Sequence, residues 1–247
     1  MQLKGIFFDL GGTLFRYPRR MGGGGIMHVL QALGIEAEPS QIGESWRRAT
    51  TEVGTRYGQQ DYFLHRDLFR DTLNHFLQGY DKQASEALME EFHQRQLQSL
   101  VEHLPLRDEC HDALAALKSR GLYLSIVSNI DDDYLDPLVD KHELHRHLDH
   151  WTSSEEAQSC KPHADIYHYS LAKADLHKDE VLFVGDSLHH DVAGAAAVGM
   201  RSARIVEEGV TTPLTHGLEV TAEPTYEIEA LTDLLDIVDG LNNAGQT

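Results

Sequence analysis

The sequence predicts a three-layer α/β protein, a parallel sheet between helices, interrupted early by a block of helices. Short apolar runs alternate with longer amphipathic segments, the pattern of parallel strands joined by helical crossovers. The strongest of those runs each end in a polar turn. Residues 16–104 break the alternation, with almost no strand signal. The expected division is therefore a core of residues 1–15 and 105–247 and a helical insert of residues 16–104.

The first strand is Leu3–Phe8 (LKGIFF), bounded by Asp9 and the pair Gly11–Gly12. Leu122–Val127 (LYLSIV), ending at Ser128–Asn129, and Glu180–Val184 (EVLFV), ending at Gly185–Asp186, are the next two. Arg201–Val206 and Tyr226–Ile228 are weaker strand candidates. Helices are expected at about 107–120, 163–174, 188–198 and 229–238. Gly121 stands where a helix C-cap glycine belongs, with Lys118 and Arg120 suiting the negative end of the dipole. Within the insert, helices are expected at roughly 24–33, 40–57, 61–78 and 82–101, broken at Gly34, Pro39, Gly58 and Gly79. In 61–78, Phe63, Leu64, Leu68, Phe69, Leu73, Phe76 and Leu77 recur at helical spacing. Gly22–Gly25 reads as a hinge or loop, and the polar residues after Val238 read as a frayed tail.

Composition narrows the function. With 21 Lys+Arg against 40 Asp+Glu the net charge is −19, which repels nucleic acid and anionic lipid. A small anion remains a feasible ligand where a metal or a local positive group meets it. The two cysteines, Cys110 and Cys160, exclude a disulfide framework or a multi-thiolate zinc site. The run Leu3–Leu10 is too short for a signal peptide, so a cytoplasmic protein is expected.

In an open parallel sheet, ligands bind at the carboxyl ends of the strands. Those ends here supply Asp9, then Ser128 and Asn129, then Asp186 with Asp191 five residues on; Lys161–Pro162 precedes a helix. Each has an ordinary reading by itself. Asp9 before two glycines starts a turn, Ser128 ends a strand, Lys161 is a solvated loop lysine, and Asp191 complements a helix dipole. Together they form a coherent set for phosphoryl transfer. Carboxylates hold Mg²⁺, lysine and hydroxyl hold phosphate oxygens, and one Asp attacks.

These residues resemble the four motifs of the haloacid dehalogenase superfamily, in order and over nearly the whole chain. The motifs are Ile6-Phe7-Phe8-Asp9-Leu10-Gly11-Gly12-Thr13, Leu124-Ser125-Ile126-Val127-Ser128-Asn129, Cys160-Lys161-Pro162, and Gly185-Asp186 with Asp191. The resemblance implies a Rossmann-like core with a small helical cap and a Mg²⁺-dependent hydrolase acting on a small phosphorylated metabolite, with no nucleic-acid or membrane partner. It makes Asp9 the nucleophile and a metal ligand, with the Gly11 carbonyl, Asp186 and Asp191 completing the metal set. Ser128 and Lys161 would hold the phosphoryl group, helped by Asn129 and the amides of Leu10 and Gly11.

Gly11 departs from that family's phosphatases, which carry there a second Asp as general acid. Such a group contributes about 10²–10⁴-fold. The carbonyl ligand survives the replacement; the proton donor does not. Three readings follow: a phosphatase with an undemanding leaving group or a substitute acid such as Tyr17 or His28, a dehalogenase or phosphonatase-like enzyme, or a weakly catalytic binder of a phospho-ligand or protein. Asp186 with Asp191 counts against a dehalogenase, and the absence of lysine from residues 16–80 counts against a phosphonatase.

The histidines His142, His145, His147 and His150 lack the i, i+4 spacing of a helix-face metal site, and their acidic neighbours suggest a solvated segment. His189–His190 are expected to cap or line a helix mouth. Arg19 and Arg20 are candidates to reach a substrate anion, and Trp46 beside Arg47–Arg48 reads as a packed tryptophan.

Overall fold

The computed structural model describes residues 2–17, 24–207 and 221–244. Arg19, Arg20 and residues 22–23 of the glycine run lie outside them. β1 is Gly5–Phe8, followed by helices α1 (Gly24–Ala32), α2 (Pro39–Tyr57), α3 (His65–Gln78), α4 (Glu86–His103) and α5 (Cys110–Ser119). β2 (Tyr123–Ser128), α6 (Asp132–Lys141), β3 (His150–Ser153), α7 (Ser154–Ala157) and α8 (Ala164–Ala174) come next. β4 (Val181–Gly185), α9 (Gly194–Ala197), β5 (Arg201–Ile205), β6 (Tyr226–Ile228) and α10 (Leu234–Ala244) complete the chain.

The six strands form one parallel sheet in the order β3-β2-β1-β4-β5-β6, flanked by helices. The chain direction across the sheet reverses between β1 and β4, where such folds open a crevice. Both faces are covered, so the central strands read as continuous apolar runs rather than alternating ones. Phe7, Val127, Val181 and Phe183 pack with Ile166, Tyr167, Ala195 and Val198 in one buried cluster. Phe8 pairs with Ile126 on one side and Val184 on the other. Asp9 is the next residue, so it emerges at the rim beside the ends of β2 and β4.

The chain divides into two compact units, Met1–Tyr17 with Pro105–Thr247, and Pro18–Leu104. The second is all helix among its described residues. Its core joins Val29, Leu30, Ala49, Leu73, Phe76, Leu77, Met89 and Phe92. Trp46 packs edge-on against Phe76 with ring centroids 5.5 Å apart, as a packed tryptophan should. Gly24 and Gly25 lie in α1 rather than in a loop, and a Cβ on Gly25 would come within 3.1 Å of Phe92.

Several expectations need correcting. α6 was not anticipated: its internal Pro137 argues against a helix, yet Tyr134, Leu135, Leu138 and Val139 form a buried stripe that holds it. β3 hides in a histidine-rich stretch. It is a strand because it pairs with β2 from Ser125↔His150 to Ser128↔Ser153. The tail is not frayed through residue 244, because α10 continues there. The Leu3 amide donates to Asn242 Oδ1 at 3.0 Å and Arg120 pairs with Asp239 at 2.8 Å, anchoring that helix. Gly121 does end α5, with φ +78° and its amide on the Lys118 carbonyl.

The helix expected at 188–198 begins as a wide π turn, Leu188–Ala193, before α9. Val192 N–H reaches back to the Ser187 carbonyl, and the Ser187 hydroxyl accepts from His190 N–H. Such turns accompany functional sites; here it brings Asp191 under the strand ends. No helix among the described residues is long and apolar enough to cross a membrane.

Candidate active site

Asp9, at the end of β1, is 8% exposed. Its Oδ1 accepts from Lys161 Nζ at 2.6 Å and from Ser128 Oγ at 3.2 Å. Lys161, 3% exposed, also donates to Asp191 Oδ1 at 2.7 Å. Asp191 Oδ2 accepts from the Ser187 amide at 2.9 Å, which fixes that carboxylate from its other side. Asp186 stands half-buried at the end of β4. One ligand oxygen from each of Asp9, Asp186 and Asp191 lies within 4.8 Å of the others.

The electrostatics of this cluster are unbalanced. Burial pushes the Asp9 carboxyl above its ordinary value; Lys161 opposes that and Asp191 reinforces it. Burial also works against the Lys161 ammonium, but Asp191 and Asp9 outweigh it and hold the lysine more firmly protonated than usual. The face of Phe183 adds to this, with its ring centroid 5.2 Å from Nζ. Three carboxylates against one ammonium leave net negative charge at this rim. A hard divalent cation with oxygen ligands answers that imbalance, and three carboxylates are the donor set such an ion takes. The residues present therefore fit Mg²⁺.

Tight glycines shape the floor. A Cβ on Gly185 would lie 2.2 Å from Asp191 Cγ. Gly12 has φ +81°, and a Cβ there would lie 2.6 Å from the Asp186 carboxylate. Both positions admit a carboxylate only because they lack a side chain.

Gly11 is bordered by Tyr17. The Tyr17 hydroxyl donates to the Gly11 carbonyl at 3.0 Å, and a Cβ on Gly11 would touch its ring at 3.5 Å. Burial first, then Asp186, Asp9 and Asp191, raise the Tyr17 hydroxyl far above its ordinary pKa, so it stays protonated. The Leu10 amide turns onto the Asp9 carboxylate. Asn129 spends its side chain on Lys161: Nδ2 donates to the Lys161 carbonyl at 2.9 Å and Oδ1 accepts its amide at 2.6 Å. Asp9, Ser128, Lys161, Asp186 and Asp191 thus converge on one rim, with Asn129 engaged in holding the lysine loop.

The other candidates go elsewhere. His150 lies in β3, bonded through Nε2 to Ser125 Oγ and through Nδ1 to the Tyr123 hydroxyl, both at 2.7 Å. His147 meets His111 at 3.1 Å. Among the described residues, no group of three metal-ligating side chains includes His142, His145, His147 or His150. His28 pairs with Glu91 inside the helical unit. Sequence reasoning missed Arg107, which is 2% exposed and bonds to the Gly12 and Thr13 carbonyls. An arginine just before a helix carries no such signal.

The sequence pattern of haloacid dehalogenase-like hydrolases matches residues 3–199. The chain is 23% identical over 237 residues to a ribulose-1,5-bisphosphate 5-phosphatase of Halopiger xanaduensis, covering 94% of this chain and 98% of that one. It is 26% identical over 208 residues to (S)-2-haloacid dehalogenase 4A of Burkholderia cepacia, covering 84% of each. Among solved structures, that of YfnB from Bacillus subtilis bound to magnesium superposes with a TM-score of 0.74 at 18% identity, covering 97% of this chain and all of that one. The ordered motifs, the sheet that gathers them and these matches have one conclusion: the chain belongs to the haloacid dehalogenase-like hydrolase family.

Proposed function

We propose that the protein is a Mg²⁺-dependent phosphatase of small phosphorylated metabolites, working through an aspartyl phosphate at Asp9. The observation that carries this reading is the meeting of Asp9, Asp186 and Asp191, two of which share one buried lysine. A carboxylate nucleophile alone serves both phosphatase and dehalogenase chemistry, and relatives of both kinds match the chain. The extra pair of carboxylates serves a cation, and a cation serves a phosphate dianion rather than a halide leaving group.

In this reading Asp9, Asp186, Asp191 and the Gly11 carbonyl hold Mg²⁺, which supplies charge neutralisation for the phosphoryl oxygens. Lys161 and Ser128 orient the transferring group and aim the Asp9 carboxylate at phosphorus. The Leu10 amide steadies the Asp9 carboxylate, and the Gly11 amide is assigned to the developing negative charge. Asn129 supports the site by fixing the backbone of Lys161. The P–O bond to the leaving group breaks as the bond from Asp9 Oδ to phosphorus forms, the leaving group departing as its oxyanion and taking a proton from solvent; water then attacks phosphorus and breaks the Asp9 Oδ–P bond, its proton passing to solvent, which restores Asp9 and releases inorganic phosphate. The helical unit, Pro18–Leu104, corresponds in this reading to the family's small cap.

A panel of phosphate monoesters assayed with Mg²⁺ and with EDTA tests this. Hydrolysis that depends on Mg²⁺, is abolished by Asp9→Asn and needs more Mg²⁺ in Asp186→Asn supports it. Unchanged hydrolysis in EDTA defeats the metal role, and halide release from 2-haloacids without phosphatase activity defeats the reaction class.

A further inference from the structure

A buried arginine in so acidic a chain needs explaining, and nothing in the chemistry above uses it. Arg107 lies on the segment that returns from the helical unit, 95 residues from Gly12. Its Nε donates to the Thr13 carbonyl at 2.7 Å, and its Nη2 donates to the Gly12 carbonyl at 2.9 Å and to Glu207 at 3.1 Å. Its backbone amide donates to the Leu14 carbonyl at 2.9 Å. Glu207 also pairs with Arg16 at 3.1 Å. Three carbonyls of the loop after Asp9 are therefore held by one residue, whose guanidinium is neutralised and oriented by one carboxylate.

The geometry points to Arg107 as a positioning residue for the metal-binding loop, an inference that rests on the phosphatase reading of that loop. The Gly11 carbonyl belongs to the peptide between Gly11 and Gly12. That plane is fixed on its amide side, where Gly12 N–H donates to the Phe15 carbonyl at 2.7 Å. The next plane, between Gly12 and Thr13, is fixed by Arg107. Gly12 has no side chain and sits at φ +81°, so without both restraints it has other backbone states open to it. Locking the planes on either side of Gly12 aims the Gly11 carbonyl and keeps the Gly12 backbone against Asp186. A planar fork that reaches two successive carbonyls and a carboxylate is a task for arginine; lysine offers a point charge.

The test uses Arg107→Met, Arg107→Lys and Glu207→Gln in the full chain. Amide hydrogen exchange over residues 10–16 is read without ligand, and the Mg²⁺ concentration giving the half-maximal rise in Tm is read separately. Loss of an outer partner of a metal site lowers affinity about 10–100-fold. Arg107→Met is expected to speed exchange at 10–16 while leaving β1 and β4 protected, and to raise the Mg²⁺ midpoint about tenfold or more. Arg107→Lys should recover part of both. Should Arg107→Met fail to fold, Glu207→Gln decides, with the same changes expected in smaller measure. Wild-type exchange and a wild-type Mg²⁺ midpoint in the folded variants would overturn the inference. Failure of the phosphatase reading shows instead in the wild-type protein, as absent hydrolysis, and leaves the exchange arm intact.

Discussion

Replacing Lys161 by Met removes the one ammonium from this cluster of carboxylates and keeps an unbranched apolar stem. Lys161 Nζ stands 2.6 Å from Asp9 and 2.7 Å from Asp191, with its side chain 2% exposed. At an effective dielectric of about 20, each contact has a gross attraction of about 6 kcal/mol. Desolvation of the ammonium cancels much of that. Removing one partner of a buried pair leaves the other charge stranded, and the net loss is about 3–5 kcal/mol. For a chain of this size that corresponds to a fall in Tm of about 10 °C. Calorimetry at neutral pH in EDTA measures it. A double-mutant cycle with Asp191→Asn separates charge compensation from packing, because taking away a stranded carboxylate should recover at least about 1.5 kcal/mol of the loss. A Tm change under about 2 °C, or strictly additive losses, would refute the reasoning that Lys161 neutralises this cluster.

Three further outcomes are expected. With Gly11 in place of a carboxylic acid, kcat should depend steeply on leaving-group pKa, aryl and acyl phosphates outrunning alkyl ones; a flat dependence would show a substitute acid, with Tyr17→Phe the first variant to assay. Burial lowers His150 to about 4, below its unfolded value of about 6.5, so the unfolded chain binds the extra proton between those values. Stability from this residue is therefore present above about pH 6.5 and lost as pH falls towards 4, about 3 kcal/mol in full and about 2 after solvent screening; urea titrations of His150→Gln should show a flatter acid limb. Gly185→Ala places a methyl where Asp191 packs 2.2 Å away; it should destabilise by about 1–3 kcal/mol and weaken Mg²⁺ binding, and unaltered binding would mean that Asp191 is not held as described.

The parts of the site readable in advance are those whose chemistry stands at a strand end. Asp9, Ser128 and Asp186 each follow an apolar run, and Lys161 precedes a proline and a helix, so topology alone brings them to one rim. What stayed hidden depends on partners distant in sequence. Arg107 matters because its fork reaches back to Gly12 and Thr13, more than ninety residues earlier. Local pattern misled where packing overrode it. Pro137 masked α6, whose buried face outweighs it. β3 is four residues long and begins with His150, whose polar ring is satisfied by Ser125 and Tyr123 on the neighbouring strand. The polar run after Val238 stays helical because Asp239 and Asn242 find Arg120 and the Leu3 amide.

The covalent step at Asp9 is the claim on which the rest depends. Acid quench of the protein during turnover of the best aryl or acyl phosphate with Mg²⁺, followed by peptide mass spectrometry, looks for it directly. A phosphoryl adduct on the peptide containing Asp9, absent from Asp9→Asn, is the expected result. Steady hydrolysis with no adduct at any time point, or an adduct on another residue, would contradict it.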